Sequence, residues 1–124
     1  MTVDADAARF NDEMPFCCRE ESLDEGSVLV TAAGELDLHT CSAFQDVLTT
    51  ARGRRPARLV VDLSEVTFID STALAALVMV QRGMQRPLDV VVTRPHLRRI
   101  LVVTGLDTVF VLHRSLEEAC RRAA

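Results

Sequence analysis

Residues 58–83 read RLVVDLSEVTFIDSTALAALVMVQRG, and the change of character inside this stretch decides the fold. Residues 58–63 have an unbroken apolar centre, the pattern of a strand whose sheet is covered on both faces. Residues 64–70 then read as a loop, and residues 72–83 as a helix. After Pro87, residues 88–93 (LDVVVT) supply another β-rich run. Strand, helix and strand in succession predict parallel neighbours, because parallel strands need a crossover between them.

Working outward, residues 14–19 form a short apolar run, Leu23-Asp24-Glu25-Gly26 offers a turn, and residues 27–33 are a second β-rich run. Together they predict a hairpin. Gly34-Glu35-Leu36-Asp37-Leu38-His39 breaks the pattern. Thr40 is placed to cap a helix whose apolar residues Ala43, Phe44, Val47, Leu48 and Ala51 follow the helical period and which closes near Gly53. Downstream, Pro95 suits the first turn of a helix carrying Leu97, Ile100, Leu101 and Val102, which stops at Gly105. Residues 108–112 give the last strand, and Ser115-Leu116-Glu117-Glu118 has the form of a capping box opening a helix over residues 115–122. The order is ββαβαβαβα. The expected class is α/β, with a mostly parallel sheet, an antiparallel N-terminal strand, residues 58–63 at the centre, and four helices.

A chain of 124 residues with 48% hydrophobic composition buries one core. Residues 1–13, with four acids, one arginine and little apolar periodicity, read as a flexible tail ahead of a single domain over residues 14–124. There is neither a signal-peptide pattern nor an apolar run long enough to span a bilayer, so a cytoplasmic location is expected. The net charge of −4 argues against nucleic acid, which is bound through clustered positive charge. Arg52, Arg54, Arg55 and Arg58 cluster around Gly53 and Pro56, where a solvated loop accounts for them. Cys17, Cys18, Cys41 and Cys120 form no CxxC pair, and His39, His96 and His113 are scattered, so no metal is expected and the cysteines read as small, buried, reduced hydrophobes. No G-x-S-x-G elbow, P-loop or GxGxxG is present, and the chain has no lysine. No cofactor is implied, and the chain reads as a non-enzyme, with Asp62 satisfied locally in a turn.

In open parallel sheets function gathers where strands end at their carboxyl side. Asp37, Asp62 and Asp70 fall in that zone. The helix that follows is apolar on every side, more than a surface helix needs. Leu74, Leu77 and Val78 make a core stripe, which leaves Ala75, Ala76, Met79 and Val80 for deeper burial or for a partner. Ser71 occupies the expected N-cap position, with Thr72 as the alternative cap. A phosphate on Ser71 would place about −1.5 to −2 charges at the mouth of an apolar helix, tolerated by the helix N-terminus but hostile to a docked apolar surface.

Gly34-Glu35-Leu36-Asp37, Val61-Asp62-Leu63-Ser64 through Phe68-Ile69-Asp70-Ser71-Thr72-Ala73-Leu74, Thr104-Gly105-Leu106 and Ser115-Leu116-Glu117-Glu118 follow one another at spacings that resemble STAS domains of the anti-sigma factor antagonist type. The resemblance covers about residues 14–123. It implies a bacterial partner-switching protein that, when unphosphorylated, binds an anti-sigma factor, itself a serine kinase of the histidine-kinase-like ATPase fold, and so frees a sigma factor. It places the phosphorylated serine at Ser71, restored by a phosphatase, with Thr72 as cap or secondary acceptor. Asp37 and Asp70 would present Ser71 to the kinase, and His39, Ala75 and Met79 complete the expected contact residues. One departure is that many members have glycine where this chain has Ala73 and Ala75. The alternative is a STAS scaffold or regulatory subunit of a transporter or stress-signalling complex without phosphoswitching.

Overall fold

The computed structural model describes residues 16–24 and 26–121; the expected tail, residues 1–13, lies outside them, as does Arg122. Chain order gives β1 (Phe16–Asp24), β2 (Ser27–Leu36), α1 (Cys41–Gly53), β3 (Arg58–Ile69), α2 (Ser71–Arg82), β4 (Asp89–Val91), α3 (Pro95–Val103), a 3-10 turn (Leu106–Thr108), β5 (Val111–His113) and α4 (Leu116–Arg121). The strands lie side by side as β1-β2-β3-β4-β5. β1 is antiparallel to β2, and every later pair is parallel. The expected class, hairpin and central strand are all present.

Parallel strands laid down in sequence order, each joined by a right-handed crossover, must carry their helices on one face. Accordingly α1 contributes Phe44, Leu48 and Ala51, α2 contributes Ala73, Ala76, Leu77 and Val80, and α3 contributes Leu97 and Leu101 to a single core. The sheet meets them with Val28, Val30 and Ala32 of β2, Leu59, Val61 and Leu63 of β3, and Val90 of β4. Three expected stripes shift. In α2, Ala76 and Val80 are buried while Leu74 and Val78 are half-buried, so the face turned to the core runs through Ala73, Ala76, Leu77 and Val80. Ala43 of α1 and Val102 of α3, expected in the core, are exposed.

The largest correction concerns residues 64–70, expected as a loop: β3 continues through them to Ile69. It does so by carrying extra residues against β2, with register shifts opposite Thr31 to Ala33 and opposite Gly34 to Glu35. The first is closed by Asp62, whose Oδ1 accepts the Ser64 amide at 2.9 Å. Bulges of this kind bend a strand and increase its twist. On the β2 side the second shift falls at Gly34, whose φ of 99° a side chain would resist. Asp62 is therefore the locally satisfied residue expected, and it pairs with Thr31 well before β2 and β3 end. The last strand is also displaced, because Thr108 belongs to the 3-10 turn and β5 starts at Val111.

The second face has less cover. Leu29, Val60 and Val91 pack there against Ala119 of α4. Beside them Arg58, Asp89 and His113 are buried together. Asp89 Oδ2 lies 3.1 Å from Arg58 Nε, and its Oδ1 lies 2.7 Å from His113 Nε2. The Arg58 guanidinium also donates to the carbonyl of Ala119, so one buried cation ties the start of β3 to β4 and to α4. At the start of α4 the Glu118 amide donates to Ser115 Oγ at 3.0 Å, as a capping box requires. The return bond departs from the motif: Glu118 Oε1 accepts from Arg114 rather than from Ser115, at 2.7 Å. Of the cysteines, Cys17, Cys18 and Cys41 are half-buried, whereas Cys120 is exposed, contrary to expectation. Burial, with Cys17 adding to it, pushes the Cys18 thiol up to about 12 and keeps it protonated.

Removing one member of a buried charge pair leaves the other uncompensated. Asp89→Ala is expected to lower unfolding stability by about 3–5 kcal/mol in urea titrations, while the double replacement Arg58→Met/Asp89→Leu loses clearly less.

Candidate functional site

β2 and β3 end together. The Asp70 amide donates to the carbonyl of Leu36 at 3.0 Å, so the residue that opens α2 is tied to the last residue of the neighbouring strand. Asp70 Oδ1 then accepts three bonds: from the Thr72 amide at 3.0 Å, the Ala73 amide at 3.3 Å and the Thr72 hydroxyl at 2.5 Å. These are the free amides of a helix start, and an aspartate in extended backbone is well suited to take them. The Thr72 hydroxyl, foremost, and the amides of Ala73, Thr72 and Leu38 hold the Asp70 carboxyl below the usual carboxylate range.

This corrects the expected cap. Neither Ser71 nor Thr72 caps α2; Asp70 does. Ser71 is the first helical residue and is exposed, and among the described residues its hydroxyl has no hydrogen-bond partner. Thr72 is half-buried with its hydroxyl committed to Asp70. The order Asp-Ser-Thr before an apolar run was itself a sufficient signal, since aspartate ranks with serine among the best caps.

Asp37 anchors the adjoining loop. Its Oδ1 accepts from the His39 amide at 2.9 Å and from the Thr40 amide at 3.2 Å, an aspartate turn that leaves His39 exposed. Thr40 holds the N-cap position of α1 as expected, but its side chain caps no helical amide: its Oγ1 donates to the Glu35 carbonyl at 2.8 Å and accepts from the Asp37 amide at 3.0 Å. Cys41 Sγ donates to the Thr72 carbonyl at 3.4 Å and joins the starts of α1 and α2. The structure thus brings together Asp37, His39, Asp70, Ser71 and Thr72, and leaves Asp62 outside.

Ser71, Ala75 and Met79 recur at helical spacing along the exposed face of α2, with Met79 51% exposed. Two apolar residues absent from the expected set frame the same end of the sheet: Leu38, 70% exposed, and Phe68, 48% exposed and paired with Glu35. Reading residues 64–70 as a loop hid Phe68, because only a strand assigns alternate residues to opposite faces. Of the two alanines standing in for glycine, Ala73 is fully buried, so its methyl fills core and meets nothing outside; only Ala75 faces out. Among the described residues no cluster of His, Cys, Asp or Glu is arranged to hold a metal ion.

The family model for "Mlab, STAS domain" matches residues 20–114. The chain belongs to the STAS-domain family. A STAS relative, anti-sigma-F factor antagonist RsfB of Mycobacterium tuberculosis, is 31% identical over 96 residues, covering 76% of this chain and 79% of RsfB. The crystal structure of an anti-sigma factor antagonist from Mycobacterium paratuberculosis superposes with a TM-score of 0.80 at 29% identity, covering 86% of this chain and 92% of that one. Bacillus SpoIIAA in its phosphorylated form shares the fold, with a TM-score of 0.64 at 19% identity over 87% of this chain and all of its own. These STAS relatives carry the names of regulators rather than of enzymes. No helix among the described residues is long and apolar enough to cross a membrane.

Because its carboxyl is lowered in the folded state, Asp70 contributes stability that is present above the unfolded carboxylate pKa and lost as pH falls through the folded one. Wild type is expected to melt several degrees above Asp70→Asn at neutral pH. That gap should close as the pH drops below about 4, read by thermal melts of both proteins across the series.

Proposed function

We propose that this chain is an anti-sigma factor antagonist: unphosphorylated, it binds an anti-sigma factor with serine-kinase activity, releasing the sigma factor, and phosphorylation of Ser71 ends that binding. The observation that carries the reading is the division of labour at the start of α2. Asp70 supplies the cap, so Ser71 keeps an exposed hydroxyl with no structural duty. The neighbours that are anti-sigma factor antagonists by name support the same assignment.

Phosphorylation would form an Oγ–P bond at Ser71 while the bond from the γ-phosphorus to ADP breaks, and a phosphatase would reverse the state by hydrolysis. The fold survives either state, because the free amides of the α2 N-terminus favour an added anion. A partner covering Leu38, Ala75 and Met79 would meet charge and bulk within an apolar contact. Asp37 and Asp70 then act by setting the two loops that present Ser71, since both carboxylates are occupied with backbone amides. Thr72 is the poorer acceptor, because modifying it would break its bond to Asp70. Ala73 does not weigh against the switch, since its methyl points inward.

A second reading, a STAS scaffold or regulatory subunit that works without phosphorylation, needs only the STAS domain and the exposed face of α2. The two part company in one experiment. The chain is incubated with candidate anti-sigma kinases and ATP, its intact mass is measured, and binding of wild type, Ser71→Ala, Ser71→Glu and Thr72→Ala is compared. The expected outcome is one phosphate on wild type and on Thr72→Ala, none on Ser71→Ala, and binding weaker by about 100- to 1,000-fold for Ser71→Glu. Phosphate on Thr72, or Ser71→Glu binding as tightly as wild type, overturns the switch. Co-purification with transporter or scaffold subunits and no kinase would favour the second reading.

A further inference from the structure

At the other end of α2 from Ser71, roughly 18 Å along the helix axis, lies a cavity of about 800 Å³. It opens between the last turn of α1, the loop leading into β3, and the loop between α2 and β4, and Arg52, Arg55 and Arg86 stand in its wall. Arg52 and Arg55 are near neighbours in sequence, whereas Arg86 arrives from the far side of β3 and α2. No aspartate or glutamate lines the cavity. Among the described residues none of these three guanidiniums is within ion-pair distance of a carboxylate, whereas Arg54, between the first two, turns away to Glu20 at 3.1 Å and Ser22 at 2.8 Å.

The carboxyl ends of α1 and α2 both point here, each carrying about half a negative charge. Arg52 and Arg82 sit in those last turns and answer them. Arg52 in particular lies on Gly83, its Nη1 2.6 Å from where a Cβ would stand, and donates to the Met79 carbonyl at 3.4 Å. Arg55 and Arg86 remain as surplus positive charge. Arg55 is also the one non-glycine residue with positive φ among those described, at 54°. Arg55 follows the C-cap of α1, the position where a left-handed residue commonly ends a helix and glycine is the usual occupant, so glycine fits that backbone without strain.

Guanidinium forks match phosphate oxygens in pairs. The volume is that of a small-molecule pocket, larger than one inorganic phosphate fills, and Pro56 and Met84 add apolar wall. We propose that this cavity binds a small organic phosphate with two or more negative charges, gripped by Arg55 and Arg86 and independent of Ser71. Net repulsion from a chain of charge −4 makes selective anion binding depend on this local cluster.

Calorimetric titration of the full chain at fixed ionic strength with a hexose bisphosphate, inorganic tripolyphosphate and sulfate tests the site. The expected result is saturable binding of one hexose bisphosphate per chain, at least tenfold weaker in Arg55→Gly and in Arg86→Ala, and unchanged in Ser71→Ala and Arg19→Ala. Arg55→Gly relieves the backbone, so it should melt no lower than wild type, and its loss of binding is then not unfolding. Absence of saturable binding, several sites per chain, or equal affinity in the Arg55 and Arg86 variants overturns the proposal. Tripolyphosphate binding with no hexose bisphosphate binding overturns the organic ligand, and equal binding of sulfate overturns selectivity for phosphate.

Discussion

The junction where β2 and β3 end and α2 begins hangs on one carboxylate. Asp70 fixes the junction of three elements: its amide holds the end of β2 through Leu36, and one of its oxygens gathers the first amides of α2 and the Thr72 hydroxyl. An α-helix turns by about 100° per residue, so the residue that starts it decides which side chains face the core. Starting at Ser71 turns Ala73, Ala76, Leu77 and Val80 inward and Ala75 and Met79 outward. The cap, the core and the exposed serine are consequences of the same geometry.

The alternation of strands and helices, the hairpin and the central position of β3 were legible because they depend on local periodicity and on the general rules of parallel sheets. The extension of β3 was not. Residues 64–69 lack a clean two-residue alternation because bulges interrupt it, and the pairing that makes them a strand comes from β2, some thirty residues earlier. Without that pairing the segment is a loop in which Phe68 belongs to no face. The family resemblance singled out Ser71 and its two aspartates, but it did not distinguish a serine that caps from a serine that stands free. That distinction needed the position of the Asp70 oxygen.

The arginines show the same limit from the other side. Arg52, Arg54, Arg55 and Arg58 lie close in sequence and read as one solvated cluster, yet each meets a different environment. Arg58 is buried with Asp89, Arg54 reaches Glu20 on β1, Arg52 leans on Gly83, and Arg55 faces the cavity. Each partner is remote in the chain, so residue type and spacing carry no trace of the division. Charge counts place such residues on a surface but do not say which of them water alone satisfies.

Ala73 carries a lesson about motifs. Written as letters, alanine for glycine is a break in a pattern and invites the idea of a diverged branch. In three dimensions the added methyl goes into a closed interior beside Leu77 and costs the outer surface nothing. Substitutions of this kind can drift among relatives while the face seen by a binding partner stays the same. A motif alphabet for such proteins is therefore better sorted by the direction in which each side chain points than by its identity.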